Sequence, residues 1–278
     1  MSFRYGILLF LFLSTFFSII MLPSLLKKEE NQTQPQETQE EEKILNPPKF
    51  SHTSGFYPED FSIKLKSEEN AKIFYTVDSS DPKTSNTSQE YKDNILIYDR
   101  SSEPNIYSAL SGDDDSPISI CRFQPYYHPP PYPVKKAMVV RAVARNEKGE
   151  YSKVVSETFF VTNKNLTKYK NLTVISLVTD PDNLFSPDYG IYVTGTMYQE
   201  WKNSPDFIPG LTHGDERLKG NFYMRGSDWE REALLTIFDK GEVVVQQNVG
   251  IRIKGNYSRI VPQKSFNIYA KKNMENLL

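Results

Sequence analysis

The pattern that most constrains the fold is an alternation of apolar and polar residues near the carboxyl end of the chain. Val249, Ile251 and Ile253 alternate with glycine and basic residues, which is the period of two typical of a half-buried β-strand. Upstream, two apolar runs flank the pair Lys240-Gly241, and these residue types suit a tight two-residue turn. We therefore predict an antiparallel hairpin in this part of the chain.

A further apolar run follows a predicted loop over residues 255–263. Its alternation places Lys264, Phe266, Ile268 and Ala270 on one face of a strand. A lysine that shares a face with core residues is costly unless an anion lies close to it. The run therefore indicates a site that needs a fixed cation.

Composition narrows the class of protein. The chain has 278 residues, a net charge of -2, 17 tyrosines and 17 phenylalanines. The near-neutral net charge does not indicate nucleic-acid binding, and the aromatic content favours β structure. The single cysteine, Cys121, excludes an intrachain disulfide, so we expect a bacterial or otherwise disulfide-poor secretory context for an exported protein.

The amino terminus carries an export signal. Residues 7–26 contain no charge and approach the roughly 20 residues that a membrane-spanning helix requires. We predict a signal peptide or signal anchor over residues 1–26, and the anchor is favoured because no small-residue cleavage site follows. We predict a polar, disordered linker over residues 27–45. The protein is expected in the cell membrane with its domains outside the cytoplasm, or secreted.

Residues 46–162 contain short strand-like runs separated by turn residues, without helical periodicity between them. This spacing predicts an antiparallel β-sandwich. A long stretch over residues 101–136 interrupts the strands. Within it, acidic residues 113–115 are either a calcium site or a solvated loop, and the second is favoured. Aromatic residues in 123–132 either stack on a sugar ring or pack on the sandwich edge, and again the second is favoured.

Three motifs in this region occur in order: Phe50-Ser-x-x-Ser-Gly-Phe-Tyr57, Ile73-Phe-Tyr-Thr-Val-Asp78, and Val140-Arg-Ala-Val-Ala144. Together they resemble the immunoglobulin-like domain at the carboxyl terminus of chitobiases. The family pattern has a glycine where this chain has Ser79. The resemblance implies an accessory β-sandwich without enzymatic activity.

Residues 170–278 differ in character from the preceding region. The apolar run 172–178 predicts a buried strand, which residues 190–193 are expected to continue. Residues 198–221 are polar and predicted to be irregular. They include His213 beside two acidic residues, but no second histidine lies near, so a surface loop is favoured over a metal site.

Several spaced motifs in residues 172–272 occur in order, among them Asp180-Pro-Asp-Asn-Leu-Phe185 and Gly250-Ile-Arg-Ile-Lys-Gly255. They resemble the N-terminal part of the spore coat protein H (CotH) kinase-like family. The resemblance implies an atypical protein kinase that uses ATP and Mg²⁺ and phosphorylates Ser or Thr. The predicted fold is thus mainly β: a membrane segment, an immunoglobulin-like β-sandwich, and the β-rich start of an α+β kinase-like domain.

That resemblance gives roles to the predicted loop and the lysine after it. Backbone amides near Gly255, Asn256 and Ser258 can approach a phosphate closely because glycine has no Cβ. Arg259 and Lys264 would supply positive charge to the ATP phosphates. The alternative is a solvent-facing hairpin with scattered basic residues, which the spacing alone favours and the resemblance disfavours.

The catalytic carboxylates are expected beyond Leu278, so we expect the fragment itself to be inactive. The expected partners are a protein substrate rich in Ser and Thr, the membrane through the N-terminal segment, and a glycan, but not nucleic acid. The alternative function is a cell-surface binding or adhesion protein that recognises a glycan or protein partner through its sandwich.

Overall fold

The chain divides into two units, Met1–Lys43 and Ile44–Leu278. The computed structural model describes residues 45–68, 70–110, 129–162, 169, 171–211, 217–259 and 263–270, all in the second unit. The predicted signal segment 1–26 and the linker up to residue 44 lie outside the described residues. Within the described ranges, no helix is both long and apolar enough to cross a bilayer.

The described part of the protein is mainly β with few helices, as the sequence predicts. Nine strands precede residue 162: β1 Lys49–Phe50, β2 Gly55–Tyr57, β3 Phe61–Ile63, β4 Leu65–Lys66, β5 Lys72–Thr76, β6 Gln89–Glu90, β7 Ile95–Ile97, β8 Met138–Arg145 and β9 Val155–Val161. Short 3-10 turns occupy Arg100–Ser102 and Tyr107–Ala109.

These strands form a five-stranded sheet in the order β2-β9-β8-β5-β6, with the pairs β3-β7 and β1-β4 beside it. Alternate residues of β8 and β9 are buried with residues of β3 and β7, so the core lies between the layers, and its central members are Ile63, Ile97, Val140 and Phe159. The antiparallel prediction is wrong at one pair, because β2 runs parallel to β9.

The second half of the unit holds a four-stranded antiparallel sheet in the order β10-β11-β12-β13. Its strands are β10 Val174–Val178, β11 Arg231–Asp239, β12 Glu242–Ile253 and β13 Phe266–Ala270, and its helices are α1 Pro181–Phe185 and α2 Gly195–Lys202. Helix α1 begins with Asp180, whose carboxylate accepts a hydrogen bond from the backbone amide of Asp182 at 2.9 Å, the usual N-cap arrangement.

The predicted hairpin is confirmed as β11 and β12. Lys240 and Gly241 both have positive φ, at 52° and 91°, which is the backbone of the primed turns that match strand twist. Val249, Ile251 and Ile253 are all buried, as the alternation predicts. They pack with Ile191, Ala233 and Leu235 in the core on one face of the sheet.

The opposite face of the sheet packs against the sandwich. Phe238 is fully buried there, with its ring 5.3 Å from that of Phe56 and 5.7 Å from that of Phe160. Thr158 and Ser176 share a hydrogen bond of 3.0 Å between their hydroxyls. The two sheets are thus joined by aromatic packing as well as by polar contacts.

Two predictions between β10 and β11 are wrong. Residues 190–193 are not a strand, because the chain turns back over α1, where the backbone amide of Ile191 bonds the carbonyl of Asn183. Residues 198–221 are not simply irregular, since they include most of α2. A second apolar cluster covers that helix and comprises Tyr198, Trp201, Leu211, Leu218, Phe222 and Tyr223.

The prediction of a buried Ile268 is also wrong. Ile268 pairs with the fully buried Ile251 and therefore lies on the expected face. Nevertheless it is 45% exposed, because β13 is the outer strand of the sheet. Alternation specifies the face of a strand, whereas burial depends on what covers that face.

Gly195 is a position where we expect a strong steric effect. Its φ is 68°, and the buried amide of Asn221 packs over its Cα, held by a 2.9 Å bond to the carbonyl of Pro187. Gly195→Ala should destabilise the protein by about 1–3 kcal/mol in urea unfolding through strain and overpacking. Gly210 is the matched control, because its φ is 76° and the space beside it is open. Equal losses for both variants would refute a packing role for Asn221.

Candidate functional site

The predicted phosphate loop connects β12 to β13. Its ends meet where the backbone amide of Lys254 donates to the carbonyl of Ser265 at 2.7 Å. Gly255 has a φ of 99°, and a Cβ there would contact the hydroxyl of Ser258. Glycine is therefore needed for two reasons: the left-handed backbone and the close approach of Ser258. Residues 260–262 of the loop lie outside the described residues.

Arg259 is 5% exposed and donates to four backbone carbonyls. Its Nε bonds Gly255 at 2.6 Å and its Nη2 bonds Ile253 at 2.6 Å, while Nη1 bonds Phe222 at 3.1 Å and Met224 at 3.0 Å. Burial, together with the nearby charge of Arg225, lowers the pKa of the guanidinium from its usual value. These acceptors take four of the five N–H donors of the guanidinium, so the geometry favours a structural role over the predicted contact with phosphate.

Lys264 is 7% exposed and lies two residues before β13 rather than within it. Its ammonium is 5.0 Å from the ring centroid of Tyr192 and 5.0 Å from that of Phe222. Its backbone amide donates to the hydroxyl of Tyr192 at 3.0 Å. The lysine is thus buried as predicted, and the faces of two aromatic rings contribute to stabilising its charge.

Asn256 and Ser258 occupy different environments in the loop. Ser258 is half-buried beneath Gly255. Asn256 is exposed, and its Oδ1 accepts a hydrogen bond of 2.9 Å from Nη2 of Arg225. This bond joins the loop to the segment that follows the 3-10 turn Asn221–Tyr223. Of the five predicted residues, Gly255, Ser258 and Arg259 build the loop, and Asn256 faces a neighbouring cleft.

The cleft has a volume of about 700 Å³. It is lined by Met197, Leu218, Lys219, Tyr223, Met224, Arg225 and Asn256. Two of these side chains are cationic, and the described lining contains no carboxylate. Met197, Leu218 and Met224 add apolar walls, and Tyr223 and Asn256 add polar groups, so the cleft combines positive charge with hydrophobic surface.

The sequence did not identify Lys219 or Arg225 as site residues. They come to the cleft because the apolar cluster around Leu218 and Phe222 fixes the chain between α2 and β11. A signal was present in the spacing of Tyr198 and Trp201, which lie on the same face of a helix. That spacing would have revealed α2, but it would not have revealed which segment packs beside it.

The described residues of the loop and the cleft provide no ligand set for a resident metal ion. Over the described ranges, no group of three His, Cys, Asp or Glu side chains is placed to hold one. The acidic residues 113–115 and His213 with its acidic neighbours lie outside the described residues. The two cations of the cleft suit an anionic group such as a phosphate, whereas carboxylate ligands for Mg²⁺ are not found among its described residues.

The first half of the unit is similar to a known protein family. Residues 63–159 match the family model described as Fn3 associated, which supports a β-sandwich-type domain and covers less than half of the chain. No curated protein matches the chain, and no solved structure matches it.

Proposed function

We propose that residues 170–278 are the N-terminal part of a CotH kinase-like domain that binds ATP with Mg²⁺. The domain would transfer the terminal phosphate to Ser or Thr of an extracytoplasmic or coat protein. The sandwich that precedes it would be an accessory domain of the type found at the carboxyl terminus of chitobiases. The proposed location is the cell membrane, with both domains outside the cytoplasm, or the secreted fraction.

The observation that carries the proposal is the position of Lys264 relative to the glycine loop. A buried lysine follows a loop in which glycine adopts a left-handed conformation, and the loop borders a cationic cleft. Phosphoryl transfer depends mainly on positioning and on neutralising the charge of the phosphates. A fixed cation next to a close-approaching backbone provides both, because neither has to reorganise when the phosphates arrive.

Each group of residues has a separate role in this proposal. Gly255 and the amides after it approach the phosphates, and Lys264 supplies a fixed charge held between two rings. Met197, Leu218 and Met224 provide apolar surface for the remainder of the nucleotide. ATP supplies the transferred phosphate when bound, and Mg²⁺ would accompany its phosphates.

The test is a calorimetric titration with Mg-ATP of the parent protein and of Gly255→Ala. We expect the variant loop to relax from the left-handed conformation, and restoring that conformation on binding costs a β-carbon residue about 1–2 kcal/mol, so the variant should bind roughly 5–30-fold more weakly. Gly241→Ala is the control, since Gly241 has a φ of 91° in the β11–β12 turn and open space beside it. A parent that does not bind Mg-ATP, or two variants with equal affinity, would contradict the proposal.

The alternative function is recognition of a glycan or protein partner through the sandwich. One observation favours it: Tyr132, in the predicted aromatic segment 123–132, is 68% exposed. Aromatic rings exposed in this way supply contact area in recognition surfaces. A glycan array probed with the parent protein and with Tyr132→Ala would test recognition, which predicts glycan binding that depends on Tyr132. The kinase-like proposal instead expects Mg-ATP binding that does not depend on Tyr132.

A further inference from the structure

The cleft has two walls that are distant in sequence. One wall is the segment Tyr223–Met224–Arg225, and the other is the loop at Asn256. The hydrogen bond from Arg225 to Asn256 crosses between them at 2.9 Å. The guanidinium of Arg225 therefore reaches from one wall of the cleft to the other.

Charge and polarity define the class of ligand. Lys219 and Arg225 are both exposed at the cleft, and the described lining residues provide no acidic counter-charge. The apolar side chains of Met197, Leu218 and Met224 line the cleft as well, together with Tyr223 and Asn256. Arginine binds phosphate oxygens in a bidentate manner, and lysine binds them as a point charge. The cleft thus suits a phosphate chain that is attached to an apolar or aromatic body.

Arg259 fixes the distance between the two walls. It bonds Ile253 and Gly255 on the loop side and Phe222 and Met224 on the other side. A guanidinium fork can satisfy several acceptors in one plane, whereas a lysine ammonium cannot reproduce that geometry. Arg259 therefore links the two walls of the cleft through these four hydrogen bonds.

We propose that Lys219 and Arg225 bind the phosphate chain of a nucleoside triphosphate in this cleft, with Arg259 as a positioning residue. This inference rests on the proposed function for the identity of the ligand. It differs from the sequence-based prediction in that Lys219 and Arg225, rather than Arg259, contact the phosphates. Asn256 orients Arg225 across the mouth of the cleft.

The experiment uses inorganic triphosphate and Mg-ATP as separate probes in calorimetric titrations of the parent protein. Lys219→Gln combined with Arg225→Gln should weaken triphosphate binding at least tenfold and flatten its dependence on salt, because two screened contacts are lost. Lys202→Gln combined with Lys240→Gln removes the same charge from two exposed positions away from the cleft. This control should bind like the parent.

Arg259→Gln tests the positioning role. It removes the charge, and because Arg259 does not itself contact the phosphates in this proposal, the salt dependence of triphosphate binding should stay that of the parent while affinity falls about three- to tenfold at a temperature where circular dichroism shows the variant folded. A flattened salt dependence in Arg259→Gln, with none in the Lys219 and Arg225 variant, would overturn the assignment and return Arg259 to the phosphate.

The two proposals fail in different ways. A parent that binds triphosphate through Lys219 and Arg225 but not Mg-ATP would refute the kinase-like function and support the anion site. A parent that binds Mg-ATP, with unchanged affinity in the double variant, would support the function and overturn this inference. A parent that binds neither probe would overturn both.

Discussion

Replacing Phe238 by alanine should lower the free energy of unfolding by about 3–5 kcal/mol, the usual cost of removing a buried phenylalanine ring. The ring is fully buried and meets Phe56 and Phe160 of the sandwich. Its loss leaves a cavity between the two sheets rather than at the surface. Urea unfolding followed by circular dichroism would measure the change.

Phe266→Ala is the matched control for that variant. Phe266 is only partly buried and contacts Tyr192 on the other face of the same sheet, so we expect a loss of about 1–2 kcal/mol. A Phe238 variant no less stable than the Phe266 variant would show that the contact between the sheets contributes little. Separate unfolding transitions in the parent would lead to the same conclusion.

Lys264→Ala should weaken Mg-ATP binding by about 1.5–3 kcal/mol, which is roughly 10- to 150-fold and corresponds to a hydrogen bond to a charged group. The reason is that its ammonium, held between Tyr192 and Phe222, is oriented before the nucleotide binds. Equilibrium titration with Mg-ATP measures the effect.

Lys254→Ala is the control for the lysine variant, because Lys254 is exposed at the other end of the loop. It should change affinity by less than about threefold, as expected for an exposed and screened charge. Lys264→Ala with the affinity of the parent would contradict the proposed role and leave the lysine as a structural residue between two rings.

The strands were predictable because their determinants are local. The alternation of Val249, Ile251 and Ile253 predicted a buried face, and Lys240-Gly241 predicted the turn; both are confirmed. Ile268 has the same local pattern but is exposed, because the outer position of β13 is a property of the whole sheet. The alternation of residues along the strand does not show whether the strand lies at the edge of its sheet.

The site was predictable only in part, for a similar reason. Sequence indicated a loop that uses the missing Cβ of Gly255 and a buried cation at Lys264; the structure shows the lysine buried and adds a left-handed backbone at Gly255. It could not indicate that Arg259 would be held by carbonyls of Phe222 and Met224, more than thirty residues away in sequence. Electrostatic roles depend on such partners, which charge patterns along a chain do not specify.

The most direct test of nucleotide binding in the second half of this unit is photo-crosslinking of the parent protein with Mg-8-azido-ATP, followed by peptide mapping. We predict that labelled peptides come from residues 217–225 and 254–264, and that excess Mg-ATP removes the label. Label confined to the sandwich over residues 46–162, or label that Mg-ATP does not displace, would contradict the account.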